Sequence, residues 1–68
     1  MTDEPLAHIR HAKALGYCAK GLREFFKNHG LDYLQFVRVG IPERLIWDTN
    51  DELARRIVIE ARRERGDL

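Results

Sequence analysis

The stretch Leu22-Arg23-Glu24-Phe25-Phe26-Lys27-Asn28-His29-Gly30-Leu31-Asp32-Tyr33-Leu34-Gln35-Phe36 decides the fold. Leu22, Phe25, Phe26 and His29 fall at i, i+3, i+4 and i+7, one face of a helix running from about Ala19 to His29. Gly30 stands where a left-handed C-cap residue belongs, and Leu31 then closes back on Phe26 as in a Schellman ending. Asp32-Tyr33-Leu34-Gln35 reads as a capping box opening a further two-turn helix, with Leu31 and Phe36 as its hydrophobic staple. Gly40 ends that helix. A helix–turn–helix corner at residues 19–39 is the best-specified feature of the chain.

Toward the N-terminus, Asp3, Glu4 and Pro5 suit a first helical turn, where acids meet the positive end of the dipole and proline loses no needed hydrogen bond. That helix is expected to run to Leu15, with Gly16 as its stop and a thin apolar face of Leu6, Ile9, Ala12 and Leu15. Toward the C-terminus, Pro42 restarts the chain in a single turn through Trp47. Thr49-Asn50-Asp51-Glu52 reads as a second capping box, opening a last helix to about Arg65. Leu53, Ala54, Ile57, Val58 and Ala61 give that helix a wide buried face. No segment alternates as a strand over a useful length. The expected fold is all-α, a compact bundle of four to five short helices forming one domain over residues 1–68. Its expected core joins Leu22, Phe25, Phe26, Leu31, Phe36, Leu53 and Ile57.

Sixty-eight residues lie near the lower limit for independent folding. Twelve Lys+Arg against eleven Asp+Glu leave a net charge of +1, unlike a protein that coats nucleic acid non-specifically. Cys18 is the single cysteine, so no intramolecular disulfide can form. With no charged-then-apolar leader and no apolar run long enough to cross a bilayer, the expectation is a cytoplasmic protein of a host cell, or a component of a virion assembled there.

Few residues suggest chemistry. His8 and His11 share the H-x-x-H spacing of a metal pair, but no further Cys or carboxylate cluster completes a site locally. Cys18 precedes a helix, where a thiol is activated. Its one conceivable base on that helix, His29, stands at the opposite end. Packing of Cys18 as a small N-cap residue under Tyr17 is the simpler reading. With no phosphate loop, no Ser/His/Asp set and no paired carboxylates, we expect no enzyme and no cofactor.

Two surfaces suggest binding. In the last helix Arg55, Ile59 and Arg62 recur at i, i+4 and i+7, on a stripe rotated away from the apolar face. An isoleucine flanked by arginines, with Trp47 as a second anchor, has the composition of a protein interface. Arg56 is expected to pair with Glu52 and Glu60. Residues 6–30 carry Arg10, Lys13, Lys20, Arg23 and Lys27 against Glu24 alone, a surplus of four, whereas residues 41–68 hold six basic and seven acidic groups. A basic surplus on the first two helices is the placement that phosphate contacts and major-groove entry require.

The run Leu15-Gly16-Tyr17-Cys18-Ala19-Lys20-Gly21-Leu22-Arg23-Glu24-Phe25-Phe26, followed by His29-Gly30-Leu31-Asp32, Phe36, Gly40-Ile41 and Asp51, resembles small uncharacterised proteins of tailed phages and prophages of proteobacteria. The likeness covers most of residues 8–61. It implies a phage origin and brings no known activity. A weaker resemblance joins Arg23 and Gly30-Leu31 to the first helix–turn–helix of MerR-type regulators. Here the stretch from Arg23 to Gly30 is one residue longer, Cys18 is the small residue after the turn, and no wing strands follow. The leading expectation is therefore a helical module that binds a phage or host protein, with a homodimer as one form. The alternative is a small helix–turn–helix DNA-binding regulator.

Overall fold

Phe26 is fully enclosed. Its ring meets Phe36 at 4.7 Å between centroids and Tyr33 edge-on at 5.6 Å, so the helix–turn–helix corner is held by stacked aromatics. The computed structural model describes residues 4–67. Its elements are β1 (Leu6–Ala7), α1 (Ile9–Ala14), α2 (Ala19–Asn28), α3 (Tyr33–Arg38), β2 (Ile41–Pro42), α4 (Glu43–Trp47) and α5 (Glu52–Arg65). The chain is an all-α bundle of short helices, with α5 packed against α1, α4 and β1.

The corner forms as its sequence dictates. Gly30 adopts φ +66°, Leu31 N–H donates to the Phe26 carbonyl at 2.8 Å and Gly30 N–H to that of Lys27 at 3.2 Å. That is a complete Schellman ending. Asp32 caps α3 by accepting the Gln35 N–H at 3.0 Å. The reciprocal half of the box is missing, because the Gln35 amide reaches forward to the Gly40 carbonyl at 3.5 Å. Gly40 has φ +97°, and a Cβ there would lie 2.7 Å from the His8 ring and 2.9 Å from the Ala7 carbonyl oxygen. No other residue fits that position.

Three expectations are corrected. The first helix begins at Ile9, not near Asp3, which lies outside the described residues. Leu6 and Ala7 are instead extended and pair antiparallel with Pro42 and Ile41, and the Pro5 carbonyl accepts the Glu43 N–H at 3.0 Å. This ladder, too short to alternate visibly in sequence, satisfies backbone groups that a helical turn would otherwise hold. The second capping box is shifted: Asp51 caps α5 by accepting the Ala54 N–H at 2.9 Å, while the Thr49 hydroxyl donates back to the Ile46 carbonyl. Leu53 is 58% exposed and outside the core, and Phe25 and Leu31 are only half-buried. Leu53 occupies the first turn of α5, at the margin of an apolar arc centred on Ala54, Ile57, Val58 and Ala61. The core holds Leu22, Phe26, Phe36 and Ile57 as expected, and adds Ala7, Ala12, Ile41 and Ile46.

Candidate functional site

The residues with interface composition do converge. Trp47 ends α4 and lies against the outer stripe of α5, where the guanidinium carbons of Arg55 and Arg62 stand 4.5 and 5.0 Å from its ring centroid. Arg55 is fixed three ways: over the ring, by Nε to the Trp47 carbonyl at 3.0 Å, and by Nη2 to Asn50 Oδ1 at 2.6 Å. Arg62 turns its Nε to Glu43 Oε1 at 3.5 Å. Glu43 is itself buried and also bonded to Arg65. Ile59 is half-buried on the same stripe. Two cation–π contacts thus brace one aromatic ring, and Arg55 has no carboxylate partner among the described residues. Arg56 meets Glu52 at 4.0 Å, but Glu60 turns to Arg63 instead.

The candidate nucleic-acid residues divide. Lys20, Arg23 and Lys27 form one exposed stripe on α2, and with Lys13 they make no ion pair among the described residues. Arg10 leaves this group. It donates two hydrogen bonds to Glu64, at 2.7 and 3.0 Å, tying α1 to the far end of α5. That pair, with a contribution from His11, holds the Glu64 carboxyl at about 2, well below the usual range. The second helix of the corner, α3, turns Leu34 and Val37 outward beside the exposed Gln35 and Arg38.

The histidines hold structure. His11 is buried, and its Nδ1 accepts the His8 N–H at 2.9 Å, capping α1. Its Nε2 therefore carries the proton and faces Glu64 Oε1 at 3.2 Å, off the line of a good hydrogen bond. Burial, with Arg10 and His11 nearby, lowers the pKa of His8. No group of three metal-binding side chains occurs among the described residues. Cys18 is exposed and caps α2, its Sγ accepting the Gly21 N–H at 3.4 Å.

One feature escaped sequence reasoning. A groove of about 250 Å³ opens between α2 and the start of α5, walled by Tyr17, Leu22, Phe25, Leu53 and Ile57, with Cys18 and Gly21 in its lining. The Tyr17 hydroxyl donates to the Leu53 carbonyl at 2.9 Å across one end. Its signal in the sequence was Phe25 and Leu53, apolar residues at the margins of their helical faces. The chain matches no protein-family model, no curated protein and no solved structure.

Proposed function

We propose that this chain acts by binding another protein through the surface built on Trp47, Arg55, Ile59 and Arg62. The observation that carries the reading is the bracing of Trp47 by two arginines that are themselves held by Asn50 and Glu43. Tryptophan and arginine dominate interface energetics. Side chains already immobilised lose little further entropy on binding. Arg55 offers a charge without a carboxylate partner among the described residues, so the complementary segment is apolar opposite Ile59 and acidic opposite Arg55. The resemblance to phage and prophage proteins favours a virion component or a host protein as that partner.

The test is capture from phage-producing cells by the tagged chain, beside its Ile59→Asp and Lys20→Ala variants. One stoichiometric protein held by the parent and by Lys20→Ala, and lost by Ile59→Asp, supports the reading. Equal retention by all three excludes this surface.

DNA binding is the second reading, supported by the Lys20, Arg23 and Lys27 stripe, which makes no ion pair among the described residues. It requires a duplex gel shift that weakens steeply with salt and is diminished in Arg23→Ala.

A further inference from the structure

Two imidazoles close the junction of β1 and α1. His11 is 3% exposed, and its Nδ1 accepts the His8 N–H at 2.9 Å. Nδ1 can accept only while it carries no proton. The other ring nitrogen, Nε2, is buried without a hydrogen-bond partner among the described residues and lies 3.2 Å from Glu64 Oε1. The His8 ring rests on Gly40, so closely that a Cβ there would stand 2.7 Å from it, and the two ring centroids are 5.6 Å apart. Glu64 from α5 and Arg10 from α1 are the charged groups that face the pair. Gly40 and β2, which is Ile41–Pro42, bring no charge to it.

A proton on His11 breaks one end of this arrangement and suits the other. At Nδ1 it sets one N–H against another, and the cap of α1 is lost. At Nε2 the charged ring still faces a carboxylate, so α5 keeps hold of it. A ring this buried has no room to turn Nδ1 away, and the His8 backbone must yield instead. That backbone runs straight into Leu6–Ala7, held by a two-residue ladder to Ile41–Pro42 and by the Glu43 N–H donated to the Pro5 carbonyl. A proton on His8 acts in the same sense, because it adds charge beside Arg10 and a second imidazole.

We propose that His11, assisted by His8, is an acid-operated latch: protonation of the buried ring frees the His8 backbone and β1 from β2, while α1 stays tied to α5 through Arg10 and Glu64. The closed form binds fewer protons than the open one. Closure is therefore full above the ordinary histidine value of about 6.5 and is lost as pH falls below it. Burial, with Arg10 and His11 nearby, lowers the pKa of His8, which has the same sign. The opening is local, since the Phe26–Phe36 corner contains neither ring. It uncovers Ala7 and Ile41, both buried in the closed form.

Amide hydrogen exchange of the full chain, read by NMR and corrected for the intrinsic effect of pH, tests the latch. Between about pH 7.5 and about pH 5, a span that covers imidazole titration, the His8 and Glu43 amides should lose protection. The loss should reach about tenfold, the factor that a one-unit pKa difference between closed and open forms supplies. The Leu31 and Ala54 amides, bonded to the Phe26 carbonyl and to Asp51, should keep theirs. Ring nitrogen shifts of His11 should follow the same midpoint as the two amides. His11→Asn leaves an acceptor oxygen near the place of Nδ1 and cannot titrate, so it should keep most of the protection at the lower pH. Unchanged protection in the parent, an equal loss at Leu31 and Ala54, or a His11 midpoint apart from that of the amides overturns the proposal. So does the full loss in a folded His11→Asn, and the measurements on the parent decide the matter if that variant does not fold.

Discussion

The Tyr17 hydroxyl donates a 2.9 Å hydrogen bond to the Leu53 carbonyl, joining the turn before α2 to the first turn of α5 across 36 positions of sequence. Tyr17→Phe keeps the ring and removes this tie. The bond is exposed, so the loss is about 0.5–1.5 kcal/mol. In a domain of this size the melting temperature should fall by several degrees, read by circular dichroism. An unchanged melting curve would show that water replaces the bond at no cost.

Phe26 and Phe25 are adjacent on one helix but differ in burial. Phe26→Ala should cost about 3–5 kcal/mol, enough to unfold so small a domain. Phe25→Ala opens the groove wall and should cost visibly less. Urea unfolding of both variants orders them, and the reverse order would move the core to the groove side.

Glu43 is a buried carboxylate at the start of α4, bonded to Arg65 and close to Arg62. Glu43→Ala removes the buried carboxylate that holds Arg62 and Arg65, whose side chains are partly exposed, with Arg65 keeping Asp67, and should destabilise by about 1–3 kcal/mol. Arg62 would also lose one of the groups that hold it at Trp47. The change should appear in Trp fluorescence as well as in the unfolding midpoint.

Stability should depend on acid through Glu64. Its folded pKa of about 2 lies below the ordinary 4.5, so its contribution is full above the ordinary value and is lost as pH falls toward 2. Glu64→Gln should flatten that limb of the stability–pH curve. His8 acts in a higher range: its lowered pKa means the fold prefers the neutral ring, so stability declines as pH drops below 6.5. His8→Asn should remove that second dependence. An unchanged curve in either variant would assign the limb to other groups.

Ile59→Asp places a carboxylate within reach of Arg55 and Arg62 on the outer stripe. Helix content should persist and the melting temperature should shift only slightly, while capture of a protein partner is lost. Wholesale unfolding would place Ile59 in the core instead.

The corner was legible because every device in it is local: the i, i+3, i+4 spacing of Leu22, Phe25 and Phe26, the Gly30 reversal, and the Asp32 cap. The first helix was misjudged because its start depends on residues far along the chain. Nothing near Pro5 announces that its carbonyl will meet the Glu43 N–H. Arg10 was read as a free cation for the same reason, since its partner Glu64 is 54 positions away. The stripe of Arg55, Ile59 and Arg62 was legible from helical phase, whereas the seating of Trp47 against it depends on how α4 packs on α5. The groove was not, because it exists only once Tyr17 and Leu53 meet.

The Arg10–Glu64 and Pro5–Glu43 ties also set an order of events during synthesis. At roughly 5–20 residues per second, several seconds separate the appearance of Arg10 from that of its partner. Through that interval α1 has no surface to rest on, and the Phe26–Phe36 corner can form alone. The α1 segment, made before α5, is thus among the last to settle. A chain released after Phe36 but short of Glu64 would carry an aromatic nucleus and an undocked α1, a ready substrate for holding chaperones and proteases.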